Sequence, residues 1–228
     1  MEPEEGPGHP SFIDGAGAFS CGALNKKKTN RALEQDRPDV TAKRLAFVDA
    51  ILDLASNKLV FLDEAGFNFA MARRWARSPV GTRAVSHEPA ARGGNISVIG
   101  AVRLSGPVAH YLYDGAIDGD RFTEFVTDRL APALNEGDVV IWDNVRFHFD
   151  PRAKEAVEAR GATVLHLPPY SPELNPIEEC WSLVKSVVRA LKPRAVLQLF
   201  DAVKRGFLSL THQKMQGFFN HAAYALPE

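Results

Sequence analysis

Thr163-Val-Leu-His-Leu-Pro-Pro-Tyr-Ser-Pro-Glu-Leu-Asn-Pro-Ile-Glu-Glu-Cys-Trp-Ser-Leu-Val-Lys185 is the stretch whose reading decides the fold. Its rhythm changes twice. Thr163 to Leu167 reads as a strand, and Pro168, Pro169 and Pro172 stiffen the loop after it. A helix then opens at Asn175-Pro176, an N-cap residue followed by proline at the first helical position, where a missing N–H costs nothing. Ile177, Trp181, Val184, Val188 and Leu191 recur at helical spacing and predict a buried face. Glu178 stands three residues after the cap, at the helix end whose dipole favours a carboxylate. An acid there also completes a capping box, so taken alone it marks a helix start and nothing more.

Working outward, Asp138-Val-Val-Ile-Trp142 is a continuous apolar run, as a buried central strand would be, and it ends in Asp143. Lys58 to Leu62 is a shorter apolar strand that delivers Asp63 at its C-terminal end. Asn95 to Leu104 and Val108 to Tyr113 predict a hairpin through Ser105-Gly106-Pro107. Asp118 or Asp120 then caps a helix with Phe122, Phe125, Val126 and Leu130 inward. Upstream, a helix entered near Asp39 or Thr41 carries Leu45, Val48, Ile51 or Leu52, and Ala55 on one face. Pro151 to Arg160 is a short charged helix stopped by Gly161, and residues 195–225 predict two more helices. Residues 1–38 hold five glycines, four prolines and Lys26-Lys27-Lys28, and read as a tail and linker ahead of a domain over 39–228. Strand, hairpin, helix, strand, helix, strand, helix is an α/β order with antiparallel and parallel pairings in one sheet.

The composition, 45% hydrophobic and 24% charged over 228 residues, is that of an ordinary water-soluble domain. No apolar run approaches the ~18 residues that span a bilayer, and the acidic start Met1-Glu2-Pro3-Glu4-Glu5 is unlike a secretory signal. Cys21 and Cys180 form no disulfide framework and have no metal-ligand spacing, so a cytoplasmic location is expected. A net charge of −1 does not by itself point to nucleic acid, but the charge is uneven. Arg73, Arg74, Arg77, Arg83 and Arg92 face only Glu88, while Lys185, Arg189, Lys192, Arg194, Lys204, Arg205 and Lys214 face only Asp201. Such patches bind phosphate or are simply solvated.

Asp63, Asp143 and Glu178 each sit at a strand-to-loop or loop-to-helix junction, and sites in open α/β sheets gather at the carboxyl ends of strands. Three convergent carboxylates repel and raise one another's pKa unless a counter-charge is present. A hard divalent cation meets that need, and two such ions stabilise the attacking and leaving oxygens of an in-line displacement at phosphorus. Each acid has a plainer explanation. Asp63-Glu64 after Val60-Phe61-Leu62 resembles a Walker B segment, although no Lys follows a Gly anywhere in the chain. Asp143 could cap a turn through Asn144, and His148 could be a surface histidine. Together, the three acids predict a metal-dependent phosphoryl-transfer site.

At these residues the chain resembles the catalytic half of a DDE transposase of the Tc/mariner superfamily, in its bacterial insertion-sequence branch. The resemblance is carried by Leu62-Asp63-Glu64-Ala65-Gly66-Phe67, by Trp142-Asp143-Asn144 with His148, and by the block from Leu167 to Glu178 followed by Trp181 and Lys185. The 34 residues between Asp143 and Glu178 are similar to that family's second-to-third acid spacing. Lys26-Lys27-Lys28 and Glu34-Gln35-Asp36-Arg37-Pro38 are similar to its linker.

The resemblance implies an RNase H-like mixed five-stranded sheet flanked by helices, with Asp63, Asp143 and Glu178 as catalytic ligands of two Mg²⁺ ions, for which Mn²⁺ would substitute. Glu179 competes for the third place. Glu64, Asn144, His148 and Lys185 would support the site or lie near DNA, and Arg73, Arg74, Arg77, Arg83 and Arg189 would contact it. The implied activity is hydrolysis of double-stranded DNA at transposon ends, then attack of the freed 3′-hydroxyl on target DNA, by a homodimer associated with the nucleoid. With 62 residues ahead of Asp63, the helix-turn-helix region usual in the family is expected to be absent, the chain being either half of a two-frame element with a separate helix-turn-helix subunit or a truncated copy. The alternatives are a non-catalytic remnant that binds DNA or transposase subunits, and a plain RNase H-like nuclease.

Overall fold

The strands are β1 (Leu59–Phe67), β2 (Ile96–Arg103), β3 (Gly106–Asp114), β4 (Val139–Trp142) and β5 (Thr163–His166), and they form a single sheet in the order β3-β2-β1-β4-β5. The first three pair antiparallel, while β4 and β5 extend the sheet parallel to β1. Among the described residues six α-helices accompany it: α1 (Pro38–Leu52), α2 (Gly119–Phe125), α3 (Pro151–Glu158), α4 (Pro176–Leu191), α5 (Val196–Leu208) and α6 (His212–His221). This computed structural model describes residues 33–71, 78–85, 96–145, 148 and 150–224. The tail at 1–32 and most of the Arg-rich segment, including Arg73, Arg74, Arg77 and Arg92, lie outside the described residues.

The period-two alternation of β1 sorts its side chains onto two cores. Leu59, Phe61, Ala65 and Phe67 pack against α4, α5 and α6, together with Phe47 of α1. Val60 and Leu62 pack on the other face with Phe122 and Phe125 of α2 and Ala153 and Val157 of α3. α2 is shorter than its apolar pattern, because the chain continues through a π turn at Val126–Leu130 and a 3₁₀ turn at Ala131–Ala133. Pro132 has no N–H with which to continue an α-helical ladder. Asp118, not Asp120, is the cap, its carboxylate accepting the Arg121 N–H at 3.0 Å.

Several expectations need correction. β1 runs to Phe67, so Asp63 lies within the strand and not at its end. The parallel pairing with β4 nevertheless stops at Phe61–Ile141, while the antiparallel pairing with β2 continues to Phe67–Ile96. Asp63 therefore stands where β1 outruns β4, on the carboxyl side of the parallel half. The hairpin turns at Leu104-Ser105, with Arg103 opposite Gly106, whose φ of 142° suits glycine. Pro107 is then inside β3, which the sheet tolerates because β3 is an edge strand.

On α1 the inward residues are Val40 and Phe47, whereas Leu45 and Leu52 are 61% and 71% exposed. That helix carries two apolar stripes, and spacing cannot choose between them. On α4, Ile177, Trp181, Val184 and Val188 are buried as expected, but Leu191, the last residue of the helix, is exposed.

α4 and α5 approach closely at Gly206, where an added Cβ would stand 2.7 Å from Val184 Cγ1 and 3.1 Å from its Cα. Because backbone is among the obstacles, a rotamer change cannot relieve the clash. A Gly206→Ala variant should lose about 1–3 kcal/mol, the usual cost of overpacking, read as a lower midpoint in chemical denaturation with an unchanged slope.

Candidate active site

The loop stiffened by prolines forms one wall of a cleft of about 410 Å³ lined by Asp63, Asp143, Asn144 and Glu178. Each acid arrives on a different element. β1 supplies Asp63 on the face covered by α4, β4 ends immediately before Asp143, and α4 opens its first turn with Glu178. Alternation sends the next residue of β1, Glu64, towards the opposite layer, where its Oε1 lies 2.9 Å from His148 Nε2.

The capping-box explanation of Glu178 does not hold. Asn175 makes no side-chain cap hydrogen bond, and the Glu178 N–H instead donates to the Asn175 carbonyl at 3.1 Å. The Glu178 side chain lines the cleft. Glu179, the rival acid, approaches His221 of α6, Oε1 to Nε2 at 3.5 Å, and does not line the cleft.

His148 is buried, its ring 4.2 Å from that of Phe122, and it is no surface histidine. Nδ1 lies 2.5 Å from Asp143 Oδ1, so one imidazole joins Asp143 to Glu64. Burial opposes charge on this ring, but the hydrogen bonds to Asp143 and Glu64 outweigh it and raise its pKa to about 9. As an imidazolium, His148 donates from both nitrogens and fixes Asp143 from behind. Asp143 Oδ1 also accepts the Val145 N–H at 3.3 Å, the turn that an aspartate forms after a strand.

Asp63 Oδ2 accepts the indole N–H of Trp181 at 3.0 Å. Burial, then the charges of Glu64 and Glu178, push the Asp63 carboxyl up to about 7. Burial likewise raises Glu178, opposed by the nearby Lys185 ammonium and aided by Glu179 and Asp143. Lys185 also lies with Nζ 5.8 Å from the Phe67 ring centroid. Asn144 donates to the Leu167 carbonyl at 2.8 Å and ties β4 to the loop. Arg189 is half-buried on α4 and Arg83 is exposed.

Among the described residues, no three Asp, Glu, His or Cys side chains converge tightly enough to ligate one ion as they stand. The donor set still fits a hard divalent cation: carboxylate oxygens on an open cleft, with the Asp63 carboxyl raised by burial and then by the charges of Glu64 and Glu178.

Sequence reasoning missed the residues that hold the loop. Arg44 of α1 donates to Ser171 Oγ at 2.5 Å and pairs with Glu173 at 2.6 Å, and Gln35 donates to the Tyr170 carbonyl. Tyr170 itself has a φ of 55°. No local pattern links residues 35 and 44 to 170–173. Trp181 was legible as an apolar helix position and as part of the family resemblance, but not as a partner of Asp63, although it lies one turn beyond Glu178.

A family model described as DDE superfamily endonuclease matches residues 58–199, more than half of the chain, and the chain belongs to that family. The Transposable element Tcb2 transposase of Caenorhabditis briggsae is 28% identical over 159 residues, 64% of this chain and 57% of that protein. Among solved structures, the Mos1 transposase paired-end complex with left transposon end matches with a TM-score of 0.70 at 13% identity, covering 89% of this chain and 64% of that one. The structure of Mos1 transposase catalytic domain and Raltegravir with Mg matches with a TM-score of 0.59 at 14% identity, covering 86% and 94%. The chain thus has the RNase H-like fold of that catalytic domain and spans less than two thirds of the curated relative. That relative is a nematode protein, and nothing in these likenesses supports the bacterial insertion-sequence branch.

Proposed function

We propose that this chain is the catalytic domain of a Tc1/mariner-type transposase, which hydrolyses DNA phosphodiesters at transposon ends and transfers the 3′-hydroxyl into target DNA. The observation that carries the reading is the arrival of Asp63, Asp143 and Glu178 from three separate elements at one cleft. Membership of the DDE superfamily endonucleases supports it, as does the likeness to transposases whose solved structures include a DNA paired-end complex and complexes with Mg and Mn.

Asp63, Asp143 and Glu178 are the residues that would hold Mg²⁺, or Mn²⁺ in its place. When bound, the cation neutralises the carboxylates and supplies the Lewis-acid chemistry of displacement at phosphorus. The chain's own part is orientation. His148 holds Asp143 while Glu64 accepts its second N–H, Asn144 and Arg44 keep the loop wall in place, and Lys185 puts a positive charge beside Glu178. Double-stranded DNA is the substrate in this reading, and a homodimer bridging two ends is the working assembly. A helix-turn-helix module would recognise those ends. Among the described residues no helix is long and apolar enough to cross a membrane.

The test is nicking of supercoiled plasmid, followed by strand transfer of a pre-cut end, with Mg²⁺ and then Mn²⁺. Nicking with strand transfer is the expected result. Nicking without transfer would leave a plain nuclease, and a folded chain inert with both ions would leave the DNA- or subunit-binding remnant.

A further inference from the structure

We propose that Trp181 and Gly100 form a positioning device that sets the direction of the Asp63 carboxylate. The inference rests on the reading of Asp63 as a ligand of the divalent cation. Gly100 on β2 is the residue directly opposite Asp63 on β1. A Cβ on Gly100 would lie 2.9 Å from Trp181 Cη2 and 3.1 Å from Phe207 Cζ. The strand therefore leaves a notch beside Asp63, and the far edge of the indole occupies it. From there Nε1 reaches Asp63 Oδ2 at 3.0 Å.

Two aromatic edges fix the indole plane. The Phe67 ring meets it at 6.2 Å between centroids and 71°, and the Phe207 ring at 5.6 Å and 89°. Trp181 is buried, on the face of α4 that seats the helix on the sheet. An indole held by helix, strand notch and two rings cannot turn its N–H elsewhere, so its only donor is spent on Asp63. Packing alone would be met by phenylalanine; the N–H and the missing Cβ at 100 are what the carboxylate requires. The arrangement is that of an outer partner that orients a metal-binding carboxylate without touching the metal.

The experiment titrates the full chain with Mn²⁺ and follows the free ion by electron paramagnetic resonance. Trp181→Phe keeps the ring and removes the donor, and Gly100→Ala keeps the donor and displaces the ring. Both should weaken Mn²⁺ binding about 10–100-fold, the usual effect of losing such a partner, with the thermal midpoint of Trp181→Phe within a few degrees of wild type. Wild-type Mn²⁺ affinity in a folded Trp181→Phe variant would overturn the proposal.

A second readout needs no metal. The Trp181 indole N–H resonance, assigned by its loss in Trp181→Phe, should exchange slowly with solvent, and Asp63→Ala should shift it and speed its exchange. An unmoved resonance would overturn the positioning role. A wild-type chain that keeps this resonance pattern but binds no Mn²⁺ would instead overturn the metal reading and leave the device standing.

Discussion

An Asp143→Ala chain is expected to nick supercoiled plasmid at least about a thousandfold more slowly than wild type, a loss of about 4 kcal/mol of barrier lowering at 1.36 kcal/mol per factor of ten. Two consequences of the substitution must be separated. Asp143 would hold the cation, and it also accepts from the buried His148. Removing the carboxylate takes one of two acids from a buried imidazolium that keeps Glu64 and the backbone carbonyl of residue 143 at 3.2 Å, a destabilising change because a buried charge loses a charged partner. Asp143→Asn keeps an oxygen that accepts from His148 Nδ1 but cannot balance a divalent charge. That variant should stay within a few degrees of the wild-type thermal midpoint and be as inactive as Asp143→Ala. Nicking by Asp143→Asn within tenfold of wild type would show that Asp143 serves only to seat His148, and would remove it from the catalytic set.

The second large effect separates neighbours. Glu178→Gln should abolish nicking to the same degree, about a thousandfold, whereas Glu179→Gln should change it by less than about threefold. Both acids lie in the first turn of α4, where the helix dipole favours each alike, so local electrostatics does not distinguish them. Direction does. Successive helical residues are turned about 100° from one another, and here one step moves the side chain from the cleft to the His221 side of α6. Steady-state nicking rates of the two variants in one metal buffer decide the matter, and the reverse ranking would make Glu179 the third acid.

Much of this organisation is written locally. The block around residues 163–185 encodes a strand, a stiff loop and a helix, because proline fixes φ and an i, i+3, i+4 apolar stripe has one way to be buried. All five strands and the helices after residue 150 follow from comparable signals. The three acids were legible as a set because each stands beside an apolar run or opens a helix. Expectations failed where local rules are degenerate. α1 offers two apolar stripes of equal merit, and only contact with the sheet selects Val40 and Phe47. Asp63 falls inside a strand because β1 has a second partner, β2, that extends pairing past the end of β4.

By itself the sequence determined the elements, their α/β order and the family likeness, and it singled out the three acids as candidates, since these depend on residues close together in the chain. Tertiary structure alone decided which atoms meet. His148 joins Asp143 to Glu64 across 84 residues of chain, Trp181 reaches Asp63 across 118, and Arg44 holds Ser171 across 127. Such pairings follow from the layering of helices on a two-faced sheet, in which adjacent residues such as Asp63 and Glu64 are sent to opposite sides. No periodicity within the chain carries that information, because it belongs to the partners and not to the segment.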